Sequence, residues 1–79
     1  MPKVLQEGGL TYFFYSNEGA ERPHVHVEGA GGKAKVWLDA PPALAYAKGF
    51  SRHAQMAIIG TVRTHRATML RTWHGHFGP

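Results

Sequence analysis

The sequence contains no cysteine and few acidic residues. Its 79 residues include five Asp and Glu against nine Lys and Arg. The absence of cysteine excludes disulfides and thiolate metal ligands, and it fits a reducing cytoplasm. A packed core alone must then hold a chain that is close to the lower size limit of an independent fold. A second chain that buries further surface would therefore fit a protein of this size.

Long apolar runs are also absent. Residues 1–7 reach polar side chains and glycine before an apolar stretch of signal-peptide length forms, and no later stretch is long enough to span a bilayer. We therefore expect a cytoplasmic protein of bacterial type with no membrane partner. Since repeats and low-complexity segments are missing too, residues 1–79 are interpreted as a single domain.

The sequence carries a net positive charge. The formal net charge is +4, and six histidines would add to it if they were protonated. A charge of this sign favours polyanions or acidic proteins as partners. Nucleic acid is therefore one of the partners that the sequence allows, although a generic solubilising charge has the same composition.

Alternating and turn-forming segments predict a small antiparallel sheet followed by one helix. Gly8 and Gly9 suit a tight hairpin turn, and Ser51 suits a helix N-cap before apolar residues at helical spacing. The predicted elements are strands at about 3–6, 10–15, 24–28 and 33–39 and a helix at about 52–74. The fold class is thus α+β, with three to four strands packed on one long C-terminal helix.

Three further segments of the sequence carry weaker signals. Residues 43–50 form an apolar segment of ambiguous structure, with a break expected at Lys48 and Gly49. Gly60, inside the predicted helix, indicates a close packing contact, because glycine there costs up to about 1 kcal/mol relative to alanine. Residues 75–79 are expected to form a frayed end.

The third strand, His24–Glu28, combines strand periodicity with groups that can carry chemistry. Its valines are expected to point into the core while its histidines and Glu28 point away. One helix covers only one face of a sheet, so the opposite face should stay exposed and form an interface. The predicted members of that face are Phe13, Tyr15, His24, His26, Glu28, Lys35 and Trp37.

Several segments together resemble the small bacterial domain-of-unknown-function 4160 (DUF4160) family. They are residues 1–4, 13–18, 23–29, 34–38 and 48–51, the last of which leads into a helix that ends near Trp73. The resemblance implies an uncharacterised protein that is often encoded beside another small protein, in an arrangement like a toxin–antitoxin pair. The helix departs from the family pattern, because Arg63, Arg66 and Arg71 stand where relatives are rich in Glu.

The leading hypothesis is a non-enzymatic interaction domain. It would form a homodimer, or half of a two-protein module, through the face that carries His24, His26 and Trp37. The mismatch between two apolar sheet faces and one covering helix motivates this hypothesis. It names a second copy or a small protein as the partner.

Metal binding is an alternative for the same pair of histidines. His24 and His26 lie two residues apart on a strand, so their imidazoles share a face and could chelate a divalent ion. A usable site needs at least a third ligand, for which Glu28, His74 and His76 are the candidates. No other cofactor is expected.

A ribonuclease-like toxin or an RNA-binding protein is another alternative. His24 and His26 would act as general acid and base, with Lys35 or Arg22 stabilising phosphate charge. RNA binding would use aromatic side chains as stacking platforms beside basic ones. Those side chains are Phe13, Tyr15 and Trp37 with Arg22, Lys33 and Lys35.

Arg66 falls within the apolar stripe of the predicted helix. A cation in that position needs a carboxylate or carbonyl oxygens to offset its desolvation. Asp39 and Glu28 are the predicted partners. Arg66 is interpreted as half of a structural pair, with substrate anchoring as the alternative role.

Overall fold

A computed structural model describes residues 2–79 as one antiparallel sheet followed by one helix. The strands follow one another in chain order across the sheet, and each pairs antiparallel with the next. The α+β class, the antiparallel sheet and the C-terminal helix are confirmed. The elements are β1 Lys3–Glu7, β2 Leu10–Phe13, β3 His24–Gly29, β4 Gly32–Trp37, β5 Ala43–Lys48 and α1 Arg52–Phe77.

The predicted count of three to four strands is wrong, because β5 forms a fifth strand beside β4. Three of its six residues are alanine, which is depleted in strands, so the segment carries little strand signal of its own. Pairing with β4 therefore makes this segment a strand. The paired residues run from Lys33 opposite Lys48 to Trp37 opposite Ala43.

Two tight turns set the registers of the sheet. Gly8 and Gly9 have φ angles of 61° and 77°, and Ala30 and Gly31 have φ angles of 50° and 79°. Positive φ at both central residues is the backbone of a type I′ hairpin turn, whose twist matches that of the paired strands. The predicted hairpin at Gly8–Gly9 is confirmed.

The core lies between one face of the sheet and the buried stripe of α1. Val25, Val27 and Val36 on the sheet pack with Ile58 and Val62 on the helix. Ser51 caps the helix as predicted, since its Oγ accepts a hydrogen bond of 3.1 Å from the N–H of Ala54. The valines of β3 are therefore on the helix-covered side.

Two expectations for α1 are wrong. A Cβ built on Gly60 meets nothing within 4 Å in the described residues 2–79, so no close contact explains this glycine. The end of the helix is not frayed either: it runs to Phe77, whose ring lies 4.4 Å from that of Trp73 and 5.3 Å from that of Phe14. Within residues 2–79, no helix combines the length and the apolar character that a membrane crossing requires.

Residues 14–23, the β2–β3 loop, fold over part of the second sheet face. Phe13 is buried, and His24 is buried against Trp37 of β4 and Trp73 of α1, so their predicted exposure is wrong. Tyr15 is 42% exposed and Trp37 is half-buried. The prediction that the face opposite the helix stays exposed is therefore wrong for these two residues. A connecting loop, as well as a helix, can shield a sheet.

Candidate metal centre

The β2–β3 loop and β3 bring one carboxylate and two imidazoles together. A ligand atom of each of Glu18, His24 and His26 lies within 4.8 Å of the other two. Oε2 of Glu18 is 3.1 Å from Nε2 of His24 and 2.8 Å from Nε2 of His26. The two histidines come together because they alternate with valines on one strand, whereas Glu18 arrives from the loop.

Hydrogen bonds within the loop hold Glu18 in place. The N–H of Tyr15 donates to Oε1 of Glu18 at 2.8 Å, while the N–H of Glu18 donates to the carbonyl oxygen of Tyr15 at 3.2 Å. The carbonyl oxygen of Glu18 accepts in turn from the N–H of Glu21 at 3.0 Å. These reciprocal bonds make a compact turn that aims the carboxylate at β3.

His24 is fully buried, with 0% of its surface exposed. Its ring lies 5.6 Å from that of Trp37 and 5.0 Å from that of Trp73 on the helix. Nδ1 lies 3.0 Å from the carbonyl oxygen of Arg22, an atom that can only accept, so Nδ1 carries a proton. This bond fixes the ring and points Nε2 toward Glu18.

Nε2 of His24 has no hydrogen-bond partner among residues 2–79, although Glu18 is only 3.1 Å away. The separation is short enough for a hydrogen bond, but the orientation of the two groups is not suitable for one. If the ring is neutral, Nε2 presents a lone pair to a carboxylate oxygen, and two acceptors face each other in a buried place. A cation between them, either a metal ion or a second ring proton, would remove that repulsion.

His26 forms the side of the cluster that is nearest to solvent. Its side chain is 12% exposed and that of Glu18 is 13% exposed. The ring stacks on Phe13 at 5.5 Å and meets the edge of Tyr15 at 5.0 Å. The aromatic contacts orient the imidazole while leaving a route from solvent to the ligand atoms.

The carboxyl group of Glu18 is kept ionised by its neighbours. Burial by itself raises its pKa, but hydrogen bonds from His26 and from the N–H of Tyr15, together with the nearby imidazole of His24, outweigh the burial. The pKa of Glu18 therefore lies below its ordinary value. A carboxylate that is ionised at neutral pH is the form that ligates metals.

Two of the three distances between the ligand atoms are compatible with a first-row metal ion. Two ligands bound to one tetrahedral zinc ion at about 2.0–2.1 Å lie about 3.3 Å apart. The distances from Glu18 to His24 and His26, 3.1 and 2.8 Å, are close to that value. Two imidazoles and one carboxylate suit Zn²⁺ and Fe²⁺, and they leave at least one coordination position for water or another ligand.

The other candidate third ligands do not join the cluster. Glu28 lies further along β3, opposite Thr11 and Lys33. Nδ1 of His74 lies 3.1 Å from the carbonyl oxygen of Gly78, and the ring of His76 packs on Phe14 and Phe77. The expectation that one of these three residues completes the site is therefore wrong.

Two of the three basic residues predicted to bind RNA, Arg22 and Lys35, are already paired. Nζ of Lys35 donates to Glu21 at 2.7 Å and lies 4.6 Å from the ring of Trp37. Arg22 lies 4.0 Å from the same ring and 3.3 Å from the carboxylate of Asp39. The hydrogen bond from Lys35 lowers the pKa of Glu21, so this contact favours the charged form of the acid.

Arg66 is bound by backbone oxygens instead of the predicted carboxylates. Its Nε donates to the carbonyl oxygens of Leu38 and Asp39, both at 2.9 Å. The side chain of Asp39 pairs with Arg22 instead. Arg66 thus holds the segment that follows β4 against the helix, which is a structural role.

Glu18 is the site residue that the sequence reasoning missed as a ligand. It lies six positions before His24 in a segment that looked like a simple connection. Its spacing from the histidines matches no short metal motif. The available signal was composition: a carboxylate close in sequence to a His-x-His strand, in a chain with only five acidic residues.

The strand that supplies both histidines also lies within the segment shared with a known family. The family described as "Domain of unknown function (DUF4160)" matches residues 9–74. The chain belongs to the DUF4160 family. All three members of the cluster in this DUF4160 chain, Glu18, His24 and His26, fall inside the matched range. Comparison of the chain with curated proteins and with solved structures finds no match in either set.

Proposed function

We propose that this DUF4160 domain binds a divalent first-row metal ion through Glu18, His24 and His26. The observation that carries the proposal is the buried Nε2 of His24, which faces the Glu18 carboxylate without a hydrogen bond. A metal ion at this point takes the imidazole lone pair and the carboxylate charge together. Both groups are then satisfied by a single ion.

The surroundings of the cluster also support metal binding. Ligating histidines commonly donate their other ring N–H to a carbonyl oxygen, which fixes the tautomer and the direction of the ring. Nδ1 of His24 makes such a bond with Arg22, and the N–H of Tyr15 holds the Glu18 carboxylate. These contacts hold both ligands in orientations that suit metal coordination.

Metal binding would join the β2–β3 loop to the sheet. Glu18 belongs to the loop, whereas His24 and His26 belong to β3, so a shared ion closes a short segment of chain. An ion that binds only the folded chain stabilises it by an amount that grows with the logarithm of its concentration over its dissociation constant. The expected role is therefore a metal-dependent stabilisation of the loop, with the remaining coordination position open to a small ligand.

The test is calorimetric titration of the untagged chain with Zn²⁺, Co²⁺ and Ni²⁺. We expect one ion per chain, a rise in the melting temperature, and cobalt absorption bands that indicate four to five ligands. Glu18→Gln keeps the shape of the side chain but removes its charge, and His26→Ala removes a ligand near the surface. Each substitution should weaken binding at least tenfold.

His53→Ala is the matched control, because this histidine is exposed near the start of α1 and lies outside the cluster. It should bind metal as the wild type does. Equal affinity in all variants would show adventitious binding to scattered histidines. Failure of the wild type to bind any of the three ions below millimolar concentration would end the proposal.

The interaction-domain hypothesis is kept as a second candidate, on a different surface from the predicted one. Burial of Phe13 and His24 removes part of the predicted face, while the edge of β5 carries exposed apolar groups.

The ribonuclease and RNA-binding hypotheses stay predictions, and the pairing of Lys35 and Arg22 with carboxylates speaks against them. A bacterial origin and a cytoplasmic location are likewise proposals.

A further inference from the structure

Strand β5 is an edge of the sheet, and its outer side is apolar. Its residues are Ala43, Leu44, Ala45, Tyr46, Ala47 and Lys48, and the ring of Tyr46 is 48% exposed. Within residues 2–79, no backbone hydrogen bond reaches this strand from beyond its pairing with β4. Two features of β5 would hinder pairing, a register irregularity at Ala45 and the charge of Lys48 at its end. The strand otherwise lacks the charged groups that usually block an exposed edge.

The opposite edge of the sheet is protected in the usual way. Strand β1 carries Lys3, Gln6 and Glu7, and Glu7 is held by Thr61 at 3.1 Å. Charged side chains on an edge discourage pairing with another chain. The contrast between the two edges indicates that β5 is the one available to a partner.

A groove of about 260 Å³ lies between β5 and the first half of α1. Leu44, Met56 and Ile59 give it an aliphatic lining, and Met56 is 70% exposed. Methionine in an exposed groove is adaptable and is common at binding surfaces. The groove therefore continues the apolar edge of β5 onto the helix.

The rim of this groove is positively charged. Arg52 and Arg63 line it, and both residues are exposed. Neither arginine has a carboxylate within 4.0 Å among residues 2–79. Carboxylates from another molecule would therefore be favourable here.

The helix adds to the same positive potential. Arg52 lies in the first turn of α1, where the helix dipole is positive, and that turn contains no acidic residue. Natural helices usually place acidic side chains there. A partner that supplies a carboxylate near Arg52 would offset both the positive charge of its side chain and the positive end of the helix dipole.

The chemistry of this surface selects one kind of occupant. A second copy of the chain would bring a net charge of +4 and the same arginine rim against itself, which is repulsive. A nucleic acid would satisfy the charges, but the floor is aliphatic and has no stacking platform. An extended peptide satisfies the backbone edge, the apolar floor and the basic rim together.

We propose that β5 and the adjoining groove bind an extended segment of a partner protein that carries apolar and acidic side chains on one of its faces. The segment adds a strand to the sheet edge through main-chain hydrogen bonds. The side chains at every second position then face the groove. An apolar one enters beside Leu44 and Met56, and acidic ones before and after it meet Arg52 and Arg63. This surface is independent of the metal centre, so either proposal can fail without the other.

The test uses random ten-residue peptides displayed on phage and selected against the wild-type domain, with counter-selection on Arg63→Glu. We expect recovered peptides in which every second residue is apolar or acidic, with an apolar residue between two acidic ones in that series. Synthetic copies should bind at least tenfold more weakly to Arg63→Glu and to Met56→Lys. Labelled amide signals of Tyr46 and Ala47 should shift on binding.

Arg71→Glu is the matched control, because it makes the same charge change on an exposed part of α1 outside the groove. It should leave peptide affinity unchanged. Four results would overturn the proposal: no enriched peptides, enrichment that Arg63→Glu does not affect, displacement of the bound peptide by an RNA oligonucleotide at equal concentration, or light scattering that shows dimers lost in Arg63→Glu. The third would assign the groove to nucleic acid, and the fourth to a second copy.

Discussion

Gly19 of the β2–β3 loop and Phe77 of the last helical turn are in such close contact that no side chain fits between them. A Cβ atom built on Gly19 would lie 2.5 Å from Cδ1 of Phe77. The loop that carries Glu18 is therefore held at one end by the helix. Glycine at position 19 is required for space.

The first prediction is that Gly19→Ala loosens the loop. Overpacking of this kind typically costs about 1–3 kcal/mol, and chemical denaturation should show a loss in that range. Since Glu18 is the adjacent residue, displacement of the loop should also weaken zinc binding by about tenfold, as the loss of a supporting contact typically does.

A double-mutant cycle tests the cause. In a Phe77→Ala background the ring is absent, so Gly19→Ala should cost little further stability. Gly75→Ala makes the same substitution in the last part of α1, where a Cβ meets nothing within 4 Å of residues 2–79. If Gly19→Ala costs the same with and without the Phe77 ring, the contact is not the reason.

The second prediction concerns Gly60, which lies inside α1 with open space around its Cα. Gly60→Ala should stabilise the chain by up to about 1 kcal/mol, because alanine loses less conformational entropy in a helix. Thermal and urea unfolding would both measure it. Gly49→Ala is the opposite case, since Gly49 has a φ angle of 77° and its Cβ would lie 2.6 Å from the carbonyl oxygen of Gly31. That variant should be destabilised.

The third prediction concerns Arg66, whose Nε binds two carbonyl oxygens after β4. Arg66→Met keeps an apolar stem but leaves both oxygens without their donor, so we expect a loss of about 1–3 kcal/mol. Arg63→Met changes an exposed arginine one turn earlier and should cost much less. Equal losses in urea denaturation would show that the carbonyl contacts contribute little.

The fourth prediction is a pH effect from Tyr12, which is 1% exposed. Burial raises its pKa above 10.0; a hydrogen bond with Thr61 opposes the rise, and the charge of Glu7 adds to it. The unfolded chain therefore loses this proton first as the pH passes 10. The contribution of Tyr12 to the free energy of unfolding is complete below pH 10. It is lost as the pH rises toward the pKa that Tyr12 has in the folded chain.

Tyr12→Phe should remove that part of the alkaline decline, up to about 1.4 kcal/mol per pH unit. The measurement is the free energy of unfolding at several pH values between 8 and 11. Tyr46→Phe makes the same change on a half-exposed ring and should follow the wild type. Parallel curves for the wild type and Tyr12→Phe would contradict the assignment.

Local patterns in the sequence were sufficient for much of the fold. Gly8 and Gly9 predict a turn because few other residues adopt positive φ, and the alternation of valine with histidine predicts the core side of β3. Ser51 predicts the start of the helix for a similar local reason. These features depend on residues that are close in sequence, and the structure confirms them.

The features that the sequence did not predict depend on contacts between distant segments. Strand β5 is ordered by pairing with β4, and the end of α1 is ordered by Phe14, which is more than sixty positions away. Glu18 becomes a candidate ligand only when its loop folds over β3. No local pattern around Glu18 indicates that fold. Two of the three residues of the cluster, His24 and His26, could therefore be predicted from the sequence, and the third could not.

The contact between Gly19 and Phe77 also bears on the order of events during synthesis. Because 77 − 19 = 58 residues separate the two positions, a ribosome adding about 5–20 residues per second makes the second roughly 3–12 s after the first. Throughout that interval the nascent loop lacks the ring against which it later rests. The contact that holds the loop against the helix can therefore form only after translation has passed the aromatic end of α1.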